Sequence, residues 1–171
     1  TTDETTTGRF AAAANTFTLD STQIRNLRNR LNYVNIHTTN NPGGEIRAQL
    51  LPEATTYLLA TLGGNSEVPA VNTAATGMTI LEINGENGVL TGAFDDLASN
   101  FNRAAAGGAH IHRALAGSNG GIEILLNADS LTTTSGIFRA AANQFSVTPG
   151  LLDSLRQRQH YVNIHSLEQA G

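Results

Sequence analysis

The chain has no cysteine, no lysine and no tryptophan among its 171 residues. The missing cysteine excludes disulfides, thiolate nucleophiles and sulfur-ligated zinc or iron–sulfur sites. The missing lysine excludes Schiff-base chemistry and Lys–Asn cross-links; all ten basic residues are arginine. Charged residues make up only 14% of the chain and the net charge is −4. That balance carries no basic footprint for nucleic acid and no basic amphipathic helix for a membrane surface. Apolar stretches fall far short of the roughly 18–20 residues that span a bilayer. No nucleophile elbow, phosphate loop or dinucleotide fingerprint occurs. The aspartates at 95–96 and the turn at 84–88 lack the alternating carboxylate spacing of a calcium loop. No small-molecule substrate is inferred, and no leader peptide is read at the start.

What is present is repetition. The pentapeptide Tyr-Val-Asn-Ile-His stands at Tyr33–His37 and again at Tyr161–His165, 128 positions later (33 to 161). Around it the same offset aligns GRFAAAANTF from Gly8 with GIFRAAANQF from Gly136, and Leu27, Arg28 and Arg30 with Leu155, Arg156 and Arg158. An offset of this size is about one domain long. The polar residues Thr1–Thr7 form a lead-in. Phe10, Phe17 and Leu19 are expected in the core. Asp20 or Ser21 caps a short helix over 22–31, and Thr148-Pro149 opens its counterpart.

In extended form, Tyr33, Asn35 and His37 share one face of a strand. A turn at 40–44 and the alternating segment Glu45–Leu51 complete a hairpin. Further strands are expected at 56–62, 77–83, 89–94 and 109–113. An extended Pro-containing segment covers 67–71, and a buried run covers 122–126. Short alternating strands with Gly/Asn turns imply an all-β sandwich of immunoglobulin-like or Greek-key type, with brief helices before the YVNIH strands. Leu51-Pro52-Glu53 is the natural boundary.

Glu67-Val68-Pro69, then Ala109-His110-Ile111-His112, then Tyr161–His165 resembles, in that order, a CHRD domain, the module first named in chordin and common in secreted bacterial proteins. The stretch from Tyr33 to Leu50 is similar to that domain's closing hairpin. The pattern departs from the family at Arg113, Ala70 and Ala48. The resemblance divides the chain into residues 1–51, the C-terminal part of one repeat, and 52–171, a second repeat lacking its last strand. It implies secretion, at the cell surface or outside the cell, and a β-rich binding or scaffold role.

Residues two apart on a strand point the same way, so His110 and His112 form a two-nitrogen clamp. His165 from a neighbouring strand supplies a third imidazole, suited to copper or, alternatively, zinc. A structural reading, in which the imidazoles bond backbone carbonyls, also fits. His37 is the first-repeat counterpart of His165, without a His-x-His strand of its own. Asn163, Glu67, Asn35, Glu45 and Arg47 are candidate polar groups around these sites, Glu45 and Arg47 also as an exposed ion pair. His160 aligns with Asn32 and is expected at the surface.

The expected function is that of a non-catalytic, exported structural or binding protein. It associates with other copies of itself or with adjacent CHRD repeats, in a matrix, surface layer or fibre, and holds copper. The alternatives are a superoxide dismutase-like copper/zinc enzyme guided by Arg113 or Arg47, and a protein-binding module like that of chordin.

Overall fold

A computed structural model describes residues 6–169; Thr1–Thr5 of the lead-in, and Gly171, lie outside the described residues. The chain divides into two compact units, Thr1–Glu53 and Ala54–Gly171.

In the first unit, helix α1 (Ser21–Arg28) starts at Asp20, whose carboxylate accepts from the Gln23 amide while the Gln23 side chain accepts from the Asp20 amide. This capping box satisfies two of the donors that a helix start leaves open. Strand β1 (Tyr33–Ile36) then pairs antiparallel with β2 (Ile46–Gln49), Val34 opposite Ala48. The helix ends three residues before the sequence expectation, because Arg30 turns to φ +59°, where a right-handed helix cannot continue.

The second unit is a two-layer β-structure. One sheet runs β3 (Thr56–Gly63), β4 (Thr76–Asn84), β5 (Asn87–Asp95), β9 (Gly136–Phe138), β8 (Ala128–Ser130), with β10 (Gln144–Ser146) also on β5. The other runs β11 (His160–Ile164), β6 (Ala109–Arg113), β7 (Gly121–Leu125). Alternation along β4 and β5 sends Leu81, Ile83, Leu90 and Phe94 inward, where they meet Ala109 and Ile111 of the second sheet, Phe138, Val147, and Leu155 of α2 (Pro149–Arg156). Each large apolar side chain buried there stabilises the fold by roughly 1.5–3 kcal/mol. The fold class is all-β, as the strand pattern implied.

The repeat is replayed in three dimensions. One-turn 3₁₀ segments at Ala12–Ala14 and Ala140–Ala142, helices α1 and α2, and the left-handed residues Arg30 and Arg158 (φ +59° and +58°) all keep the 128-residue offset. Thr148 caps α2 through the Leu151 amide as Asp20 caps α1 through that of Gln23.

Burial breaks the equivalence. Phe138 is 3% exposed, yet its counterpart Phe10 is 71% exposed, and Phe17 is 74% exposed. The expectation that Phe10 and Phe17 are core residues is therefore wrong: among the described residues of the first unit no second sheet covers them. The 122–126 run also differs. Ile122 and Leu125 are exposed and only Leu126 is buried, because β7 is the edge of the three-stranded sheet. Residues 67–71 form no strand; they follow a 3₁₀ turn at Gly64–Ser66.

Candidate metal centre

Strand β6 carries His110 and His112 on one face, and β11 lies antiparallel beside it. Asn163 stands opposite His110, and Tyr161 opposite His112. Alternation puts Tyr161, Asn163 and His165 on that same face. His165 sits just past β11. Its amide donates to Gly108 O at 2.8 Å and its carbonyl accepts from the Asn102 amide at 2.9 Å. The 101–108 loop thus closes over the face. Gly108 makes the approach possible: its φ is +91°, and a Cβ there would lie 2.5 Å from the Phe101 ring.

His110 is 2% and His165 5% exposed; His112 is half-buried. His110 Nε2 lies 2.9 Å from both Ala105 O and Ala106 O. His112 Nδ1 lies 2.9 Å from Gly120 O. A carbonyl only accepts, so these nitrogens carry the protons, which assigns the tautomers. In the neutral rings the other two nitrogens, His110 Nδ1 and His112 Nε2, present lone pairs, and they face each other at 3.3 Å. His165 Nε2 is buried without a partner. All three ligand nitrogens lie within 4.8 Å of one another.

Tyr161 fixes the geometry. Its ring stacks on His112, centroids 5.0 Å apart and planes 10° apart. Its hydroxyl accepts from the Gly120 amide at 3.1 Å, in the residue whose carbonyl orients His112. Such outer contacts set tautomer and ring direction at metal sites. Neither Tyr161 nor the Ala105 and Ala106 carbonyls was picked out from the sequence. The shared face of Tyr161 and His165 was readable from alternation; the loop carbonyls were not.

Burial, reinforced by the charges of His110 and His112, pushes the His165 pKa below its ordinary value, against a backbone hydrogen bond at Gln169. Burial pushes the Glu67 carboxyl up, opposed by the charge of His112, so Glu67 lies within electrostatic reach of the cluster. Asn163 is buried on the cluster's face.

The remaining candidates lie in the first unit. His37 Nδ1 is 2.9 Å from Pro42 O, and Asn35 Nδ2 donates to Gly43 O at 3.5 Å. Glu45 and Arg47 do not face each other as an ion pair. Glu45 accepts from the Thr38 hydroxyl, which with Asn41 lowers its pKa, and Arg47 lies 5.3 Å over the Tyr33 ring. His160 is not a surface residue. Its side chain is 4% exposed and its Nε2 lies 2.6 Å from Glu123 Oε2. A β-bulge opposite Ile111/His112 leaves Glu123 without a cross-strand partner on β6, and its carboxylate reaches His160.

Two ligands at about 2.0–2.1 Å from a tetrahedral ion stand about 3.3–3.4 Å apart. The His110–His112 nitrogens already have this spacing, and His165 offers an unpartnered third nitrogen. The donor set therefore fits a transition-metal ion that accepts imidazole.

No curated protein and no solved structure matches the chain. The family model for the CHRD domain matches residues 1–50 and 58–171. With nearly the whole chain matched in two consecutive segments, each ending in or spanning a YVNIH strand, the chain belongs to the CHRD domain family.

Proposed function

We propose that this chain is a non-catalytic, exported structural and binding protein that holds one copper ion, alternatively zinc, at His110, His112 and His165, and that associates with other copies of itself or with further CHRD repeats. The observation that carries the metal reading is the pair of facing lone pairs on His110 Nδ1 and His112 Nε2. As neutral imidazoles they bring two acceptors to the spacing of two ligands on one ion. Three neutral imidazoles suit copper and zinc, with copper the tighter binder at a given nitrogen site.

Export is supported by the family, whose members are typical of the cell exterior. No helix among the described residues is long and apolar enough to cross a membrane. Association is supported by the exposed apolar side chains of the first unit.

The test is metal analysis of the purified chain after loading with copper or zinc. One ion per chain is expected for the parent and for His37→Ala, and none for His110→Ala or His165→Ala. Equal metal content in all four proteins would overturn the assignment.

A further inference from the structure

The turn between β6 and β7 ties a second loop to the His112 side of the centre. Gly120 O orients His112 Nδ1, and the neighbouring Asn119 Nδ2 donates to Val68 O at 2.9 Å. Gly64 O in turn accepts from the Glu67 amide at 3.2 Å and from the Val71 amide at 2.8 Å. No side chain fits at Gly64, where a Cβ would lie 2.2 Å from Val71 O. The 64–71 loop is therefore closed on itself and fastened to the turn that orients His112.

Glu67 stands in that loop, one residue from the Asn119 bond. It is half-buried, and among the described residues nothing donates a hydrogen bond to its carboxylate. Burying a charge is costly unless it is paired. The one carboxylate of the three-stranded sheet, Glu123, is bonded to His160 on the opposite face of β11. Three neutral imidazoles bring no charge to an ion. A doubly charged ion held among them is left uncompensated, which is costly in a low-dielectric site.

We infer that Glu67 is the counter-charge of this centre and fixes its preference for a divalent ion, Cu²⁺ or Zn²⁺, over the monovalent Cu⁺. The carboxylate is not among the three close ligand atoms, so it acts across space rather than as a direct ligand. Coulomb attraction is proportional to the charge of the ion. Removing the carboxylate's charge then costs a divalent ion twice the free energy it costs a monovalent one, so the fold-loss in affinity is squared. A change in the shape of the site carries no such relation. The inference rests on the metal reading above and is independent of self-association.

The experiment uses the full chain. Zn²⁺ affinity is measured by calorimetry, and Cu⁺ affinity by anaerobic competition with bicinchoninate, for the parent, Glu67→Gln and Glu67→Asp. Glu67→Gln is expected to weaken Cu⁺ about threefold and Zn²⁺ about tenfold, its square. Glu67→Asp keeps the charge on the same fastened loop and is expected to hold the ratio of the two affinities within about twofold of the parent. The metal-free urea midpoint of each variant guards against misfolding. Equal losses for the two ions in Glu67→Gln, or parent-like affinity for both, overturn the inference and leave the metal reading standing. A ratio that falls as far in Glu67→Asp as in Glu67→Gln also overturns it and assigns the effect to shape. A parent that binds neither ion overturns the metal reading and the inference with it.

Discussion

His112 Nε2 stands 3.3 Å from His110 Nδ1, and the carbonyls bonded to the opposite sides of both rings leave these two nitrogens either to share one proton or to present two lone pairs to a metal ion. A metal ion bound there takes the place of any proton held between the two rings.

Copper or zinc is therefore expected to stabilise the second unit. At a free metal concentration of about 100 times Kd the gain is about 2.7 kcal/mol, read as a rise in the denaturation midpoint. His112→Ala should show no rise. An equal rise in that variant would place the ion elsewhere.

Acid should weaken the metal-free protein. The folded-state pKa of His165 lies below its ordinary 6.5, chiefly through burial. The unfolded chain then takes up its proton first, so stability falls as pH drops from about 6.5 towards the folded value and levels off below it. Urea midpoints between pH 7.5 and 5 should decline, and less steeply in His165→Asn. Parallel declines in both proteins would assign the effect to other groups.

Glu67 has the opposite sign. Burial raises its pKa above 4.5, so its ionised form destabilises the folded chain at neutral pH. Glu67→Gln should raise the metal-free urea midpoint at pH 7 and lose that advantage at pH 3.5, where the parent carboxyl is protonated. A lower midpoint at pH 7 would instead mean that the carboxylate supports the cluster.

Equivalent phenylalanines should behave unequally. Phe138→Ala removes a core ring packed on Phe94 at 5.9 Å and should cost about 3–5 kcal/mol. Phe10→Ala, at the same place in the repeat, should stay within about 0.5 kcal/mol. Thermal unfolding followed by circular dichroism separates the two, and similar losses would show that Phe10 is covered in solution.

Glu123 and His160 form a fifth test. Glu123→Ala strips the partner from a buried imidazole nitrogen and should cost about 1–3 kcal/mol. An unchanged midpoint would mean that His160 finds water instead.

Much of this was legible from local rules. Period-two alternation places His110 with His112 and Tyr161 with His165, because a strand allows no other arrangement of successive side chains. Asp20, Thr148 and the 128-residue offset announce both helices and both YVNIH strands. Local chemistry set these features, and a backbone obeys it before any packing occurs.

The tertiary structure decided what the repeat left open. Pairing of β11 with β6 brings His165 to His110; its copy His37 belongs to a unit in which no described strand carries a second histidine. The 101–108 loop supplies the carbonyls that set the His110 tautomer, and a bulge turns Glu123 onto His160. The same Phe is core at 138 and exposed at 10. Burial depends on what another segment brings to a face, and that information is not carried by the residues on the face itself.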